Sequence, residues 1–195
     1  MWYNMCIMNA RLYILAGANG SGKSTISKVF LPTEGLVYIN PDDIARELNP
    51  QCPEAAKIEA GKLTLRKVAE SINRRESFAI ESTLSGSAYI KLIGRAKQLG
   101  YETSIIYTFV DSPDVCIARI AARVKRGGHY IPDDDVRRRY TRSKRNFWRL
   151  YAPIVDYWTL LYNGDAQVTM VARKNNGNGT AVFSESLLEL FKEGL

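Results

Sequence analysis

Gly17-Ala18-Asn19-Gly20-Ser21-Gly22-Lys23-Ser24 matches G-x-x-x-x-G-K-[ST] without a gap. Glycines in such a run let the backbone turn until successive N–H groups point inward at phosphate oxygens. Lys23 would then reach the outer phosphates, and the Ser24 hydroxyl could ligate Mg²⁺. The context fits: the β-prone residues 11–15 stop at Gly17, and residues 23–30 read as the following helix, halted by Pro32. A phosphate loop binds nucleotide without naming the reaction. Transfer to an acceptor and hydrolysis coupled to motion both remain open.

Two further strands end in acids. Residues 36–39 lead into Asn40-Pro41-Asp42-Asp43, and residues 78–80 lead into Glu81-Ser82-Thr83. In open α/β sheets ligands gather outside the carboxyl ends of strands, which brings Asp42 and Glu81 toward the phosphates. A carboxylate there can orient or deprotonate an acceptor hydroxyl. Equally, Asp42 and Asp43 can stabilise a helix N-terminus, and spacing alone leaves both readings open. For Glu81 three roles stand: binding the acceptor, holding Mg²⁺ through water, or capping a turn.

The formal charge of +7 is unevenly placed, because residues 119–149 hold eleven Lys/Arg against only Asp133, Asp134 and Asp135. Such a patch attracts phosphorylated small molecules, nucleic acid or an acidic partner, and charge alone cannot choose. Gly127-Gly128 offers a hinge in its middle, so arginines could close over a transferring phosphoryl group. On the helix expected from Pro132 to about Tyr151, Val136, Tyr140, Phe147 and Tyr151 form an apolar stripe. Arg138, Arg142, Arg145 and Arg149 lie about 200° away, a solvated outer face. Arg139 flanks the packed face and Arg126 adjoins the hinge, which makes these two the candidates for the site. Arg119 and Arg123, one turn apart, can act on one surface. His129 has no Cys or His companions and reads as a turn residue. Tyr157 and Trp158 read as core, and the aromatic-and-basic interleaving of RNA binders is absent.

The elements that must position these groups alternate. Strands at 11–15, 36–39, 78–80 and 102–110 are separated by helices at 23–30, 41–48, 54–74 and 87–99, with further helices at about 113–126 and 132–151. Ile58, Leu63, Leu65, Val68 and Ile72 supply the apolar side of the long helix at 54–74. Residues 158–163 and 168–173, joined through Asn163-Gly164-Asp165, look like a hairpin; 175–179 is a loop and 184–192 a closing helix. The pattern predicts an α/β three-layer P-loop domain over residues 1–195, with a mainly parallel five-stranded sheet, an edge hairpin and a basic lid at about 119–150. At 46% hydrophobic and 24% charged residues, disorder is not expected. No apolar run nears the roughly 20 residues that span a bilayer, and residues 1–15 lack a signal-peptide pattern. Cys6, Cys52 and Cys116 are odd in number and widely spaced, fitting reduced cytoplasmic thiols.

Gly17 to Thr25, then Asn40-Pro41-Asp42-Asp43-Ile44-Ala45, Glu81-Ser82-Thr83-Leu84-Ser85-Gly86, Arg126-Gly127-Gly128-His129-Tyr130-Ile131-Pro132 and Arg138-Arg139-Tyr140 resemble, in order, the short bacterial zeta-toxin-like P-loop kinases. The resemblance implies an adenylate-kinase-like core binding ATP and Mg²⁺. It implies that Lys23 grips the phosphates, that Asp42 is the general base, and that Glu81 and Thr83 help hold the acceptor. Arg126 and Arg139 would neutralise the transferred phosphoryl group, with Arg119 and Arg123 in reserve. The better-known zeta toxins are similar to kinases of UDP-N-acetylglucosamine, adding phosphate to the sugar 3′-hydroxyl, and many are restrained by a small antitoxin protein. The expected reaction is transfer of the ATP γ-phosphoryl group to a small-molecule hydroxyl. A nucleic-acid-directed kinase and a hydrolysing switch without acceptor are the alternatives.

Overall fold

Alternation along the first strand sets the layers. In β1 (Arg11–Ala16), Leu12, Ile14 and Ala16 pack into one apolar cluster, while Leu15 packs with Ile26, Ala79, Ile106 and Leu161 into another on the opposite face. A strand buried on both faces demands helices on both sides, and this chain supplies them. The computed structural model describes residues 9–31, 36–164, 167–177 and 179–195. Cys6, Pro32, Asp165 of the expected hairpin turn and Asn178 of the loop after it lie outside the described residues.

The remaining elements are α1 (Lys23–Phe30), β2 (Val37–Ile39), α2 (Pro41–Leu48), α3 (Lys57–Asn73), β3 (Phe78–Ser82), α4 (Ala88–Gln98), β4 (Glu102–Phe109), α5 (Pro113–Val124), α6 (Asp133–Asn146), β5 (Tyr157–Asn163), β6 (Val168–Lys174), β7 (Thr180–Val182) and α7 (Glu185–Lys192). The sheet order is β2-β3-β1-β4-β5-β6-β7. The first five strands in that order run parallel, and β6 and β7 are antiparallel additions. Since β3 slots between β1 and β2, the chain winds both ways from β1 and leaves a crevice at its carboxyl end. Residue pairs Leu15 with Glu81 and Ile39 with Ile80 fix the three strand ends at one level. No helix among the described residues is long and apolar enough to cross a membrane.

The α/β, mainly parallel architecture agrees with expectation, but the sheet has seven strands and not five. β7 adds to the hairpin edge, and all three of its residues are exposed. It therefore carries none of the apolar alternation by which a strand is read. α3 also departs. Ile58 and Leu65 are 79% and 71% exposed, and the buried side is Ala60, Thr64, Val68, Ser71 and Ile72. Val68 and Ile72 are buried and Leu63 packs against the core as expected, while the small residues Ala60, Thr64 and Ser71 take the positions Ile58 and Leu65 were expected to fill. On α6 the expected division holds: Val136, Tyr140, Phe147 and Tyr151 are buried, and Arg138, Arg142, Arg145 and Arg149 are exposed. Past Asn146 this helix widens into a π turn (Phe147–Tyr151), in which the Ala152 N–H donates to the Phe147 carbonyl at 2.8 Å. The turn delivers Phe147 onto Tyr107, ring centroids 4.4 Å apart.

One carboxylate knits α4, β4 and β5 together. Asp156 accepts from the Thr103 N–H and hydroxyl at 2.9 and 2.8 Å and pairs with Lys97 at 2.8 Å. Burial works against its ionisation, but the Lys97 and Thr103 interactions outweigh it and hold the carboxyl below its ordinary value. Its folded-state pKa is thus lower than the unfolded one. The carboxylate adds stability in full above about pH 4, the unfolded value, and loses it as pH falls through the folded value. Asp156→Asn should cost roughly 1–3 kcal/mol in urea unfolding near neutrality, with the gap from wild type closing on acidification. A gap independent of pH would contradict this account.

Candidate active site

The loop between β1 and α1 takes a shape that only glycine allows at its bends. Gly20 has φ +83°, and a side chain there would press within 2.6 Å of the Cys116 carbonyl oxygen. Gly22, at φ +94°, caps α1, and a side chain would collide with the Asn163 amide. That amide donates to the Ser21 carbonyl at 2.7 Å, and the buried Ser21 hydroxyl bonds Thr108 at 2.8 Å. β4 and β5 thus hold the loop from beneath. No side chain caps α1, so its first N–H groups and its positive dipole end face the crevice, the arrangement that binds anions. Lys23, 7% exposed, folds back to the Ala18 carbonyl at 3.1 Å and lies 3.7 Å from Glu81 Oε1.

The two acids after β2 divide their roles. Pro41 starts α2, and Asn40 caps it by accepting from the Asp42 N–H at 3.0 Å. Asp43 pairs with Arg46. The Asp42 carboxylate is exposed and has no hydrogen-bond or ion-pair partner among the described residues. Three cavities, of about 210, 400 and 440 Å³, meet at the crevice, and Asp42 alone lines all three. Glu81 is different. Its side chain is 11% exposed, and Oε2 accepts from Tyr38 at 2.6 Å, Asn40 at 3.3 Å and Ser24 at 3.4 Å.

The smallest cavity lies among Asn19, Lys23, Asp42, Glu81, Thr83 and Arg139, with Tyr89 and Pro41 on its walls. Its floor is the loop after β3, where buried Leu84 takes φ +51°, an uncommon backbone for leucine. α6 and its π turn hold that loop: Asn146 donates to the Leu84 carbonyl at 2.9 Å and Tyr151 to the Gly86 carbonyl at 2.6 Å. Ser143 donates to the Thr83 carbonyl, while the Thr83 hydroxyl bonds Ser85 at 2.9 Å.

The arginines separate by position. Arg139 bonds Asn19 Oδ1 and Asp135, each at 3.2 Å, and so touches the phosphate loop. Arg119 and Arg123 line the second cavity with Gly20, Gly22, Ser24 and Thr25. Arg119 donates to the Asn163 and Gly164 carbonyls, and Arg123 to the His129 carbonyl at 2.8 Å. Arg126 is exposed and lines none of the three cavities. The structure does not bring it into the crevice. His129 spans the third cavity to Glu54, 2.5 Å away. The hydrogen bond from Lys57, ahead of the attraction of His129 and Arg139, lowers the Glu54 carboxyl. Sequence reasoning missed Tyr38, Asn40 and Asn163 as parts of the site. Tyr38 and Asn40 sit two apart on a strand and so share a face, which was the one available signal.

This loop at the switch point of a β2-β3-β1-β4-β5 parallel sheet, with strand-end acids beside it, defines a P-loop protein with the fold of small kinases. The chain belongs to the Zeta toxin family, whose model matches residues 9–176. An uncharacterised protein of Haemophilus influenzae is 37% identical over 134 residues, 69% of this chain and 95% of that protein. Among solved structures, the AvrRxo1-ORF1:AvrRxo1-ORF2 complex with sulphate ions superposes at TM-score 0.79 with 18% identity, over 97% of this chain. This chain spans 65% of that one. The PezAT toxin–antitoxin system of Streptococcus pneumoniae gives TM-score 0.65 and 19% identity, covering 96% of this chain and 85% of that one.

If the Asn163 amide holds the loop, Asn163→Ala should raise hydrogen exchange in residues 17–24 by roughly fivefold, the loss of one net hydrogen bond. Exchange in β1 and β3 should stay unchanged. Equal exchange in the loop of both proteins would reject this support.

Proposed function

We propose that this protein is an ATP-dependent kinase that transfers the γ-phosphoryl group to a hydroxyl of a small molecule, acting as one unit with residues 119–150 as its lid. The observation that carries the reading is Asp42: an unpartnered carboxylate on the boundary of all three cavities. The second cavity takes the nucleotide, with its phosphates in the loop and Lys23 turning from the Ala18 carbonyl to the outer phosphates. The first cavity takes the acceptor, beside Thr83 and Glu81. At about 210 Å³ it is smaller than the 300–1,000 Å³ usual for a whole drug-sized ligand, so it suits one ring or a short polyol end. Asp42 accepts the acceptor's proton as its oxygen attacks; ADP leaves, and Arg139 and Lys23 meet the charge on the moving group. Positioning and electrostatics supply most of the rate in such transfers.

The donor set favours a magnesium ion. Ser24 offers a hydroxyl and Glu81 a carboxylate, hard oxygens of the kind magnesium takes one or two at a time alongside water and phosphate. Groups of three or more His, Cys, Asp or Glu able to hold a metal by themselves are absent among the described residues. When bound, magnesium would neutralise charge on the β- and γ-oxygens.

Family membership supports a sugar nucleotide such as UDP-N-acetylglucosamine as the acceptor, a cytoplasmic site of action and a restraining antitoxin protein. The AvrRxo1 structure with ATP and the two-component AvrRxo1 and PezAT assemblies accord with nucleotide and partner. The exposed row Arg138, Arg142, Arg145 and Arg149 lines none of the cavities, which weighs against a nucleic acid led to Asp42.

Mass spectrometry of a metabolite extract incubated with enzyme and labelled ATP should show one class of phosphorylated product. Asp42→Asn should lower its rate by about 10²–10⁴, and Lys23→Ala should abolish it, with circular dichroism unchanged in both. Free phosphate alone, formed equally by wild type and Asp42→Asn, would refute the kinase reading.

A further inference from the structure

Tyr38 lies on an edge strand, is 39% exposed, and sends its hydroxyl 2.6 Å from Glu81 Oε2, the shortest of the three hydrogen bonds to that atom. Register makes the contact. Ile39 pairs with Ile80 and points into the core, so its neighbours Tyr38 and Asn40 share the other face, and β3 ends with Glu81 within reach of both. With Tyr38, Asn40 and Ser24 all donating to Oε2, that oxygen is saturated. Oε1 is left toward Lys23 and the crevice.

The Ser24 hydroxyl donates a hydrogen bond to Glu81 Oε2 at 3.4 Å, which leaves its lone pairs for the second and third cavities that Ser24 lines. A hydroxyl can act as a cation ligand only through those lone pairs. Ligands of a metal are commonly fixed by such outer partners, whose loss costs 10–100-fold in affinity.

We infer that Tyr38 is a positioning residue for the divalent cation that accompanies the nucleotide: it fixes the rotamer of Glu81, and Glu81 in turn aims the Ser24 hydroxyl. This rests on the kinase reading above. Tyr38 touches neither nucleotide nor acceptor in this scheme, and its effect runs wholly through Glu81.

Calorimetric titration of ATP into the protein, with and without Mg²⁺, separates the possibilities. In Tyr38→Phe, ATP with Mg²⁺ should bind roughly tenfold more weakly, near the lower end of losses seen for outer partners, while Mg²⁺-free ATP binds as to wild type. Thermal unfolding should be nearly unchanged, since the ring is kept. In Glu81→Gln the Mg²⁺ dependence should fall further, and adding Tyr38→Phe to it should have no additional effect. Equal weakening with and without Mg²⁺, additive effects of the two substitutions, or no effect of Tyr38→Phe would each overturn the inference while leaving the kinase reading standing. Wild-type protein that takes up no ATP under either condition would overturn both.

Discussion

A short stretch of backbone must keep its N–H groups turned outward from the fold and toward an anion, and most of the architecture answers to that requirement. Such groups cannot be satisfied within the helix they begin. The loop that carries them needs positive φ at Gly20 and Gly22, conformations without stabilisation of their own. The fold supplies it from below. The Cys116 backbone fills the space beside Gly20, Asn163 fills the space beside Gly22, and Thr108 holds Ser21. Those three residues come from α5, β5 and β4. β1 therefore has to be an interior strand, and the parallel order β3-β1-β4-β5 is the arrangement that puts it there.

Charge follows from the same requirement. An anion nest with a lysine at 7% exposure is a concentrated positive site, and a buried cation is costly without a partner. Lys23 rests between the Ala18 carbonyl and Glu81. Glu81 is itself held by three donors, which keep its Oε1 3.7 Å from the lysine and short of contact distance. Asp42 has none of these ties. Of the two strand-end acids, one belongs to the standing electrostatics of the loop and the other faces the cavities with no side-chain partner among the described residues. Arg139 is tethered midway, sharing its guanidinium between Asp135 and the loop residue Asn19.

Much of this was legible in the sequence because it is local. The loop, the helix it opens, Pro41 at the start of α2 and the split of α6 into packed and solvated faces are all written within a dozen residues. Asp42 and Glu81 could be placed at strand ends for the same reason. The rest depends on contacts between distant segments. Asn163 meets Ser21 across 142 residues and Tyr38 meets Glu81 across 43, and neither pairing leaves a periodic trace. β7 escaped since its three residues are all exposed and carry no apolar alternation. On α3, apolar size rightly pointed to Val68 and Ile72 but also to the exposed Ile58 and Leu65, in whose place the helix packs through Ala60, Thr64 and Ser71. Arg126 beside a glycine pair looked suited to closing over the site, but the direction of a side chain at a turn is set by the turn itself.

The helix α6 also fixes the spacing between the loop after β1 and the loop after β3. Arg139 on α6 reaches the phosphate loop, and one turn later Ser143 reaches the Thr83 carbonyl. Residues four apart on a helix are separated by about 6 Å along one face, so the distance from guanidinium to the loop after β3 is fixed by helix geometry and not by flexible chain. Asn146 and Tyr151 extend the same grip to Leu84 and Gly86, and it is there that the backbone carries the left-handed φ of a leucine. A strained residue persists only where its surroundings over-determine it. Here the surroundings are the helix that also carries Arg139, bonded to Asn19 of the loop after β1, so a shift of α6 large enough to relax Leu84 would withdraw Arg139 with it.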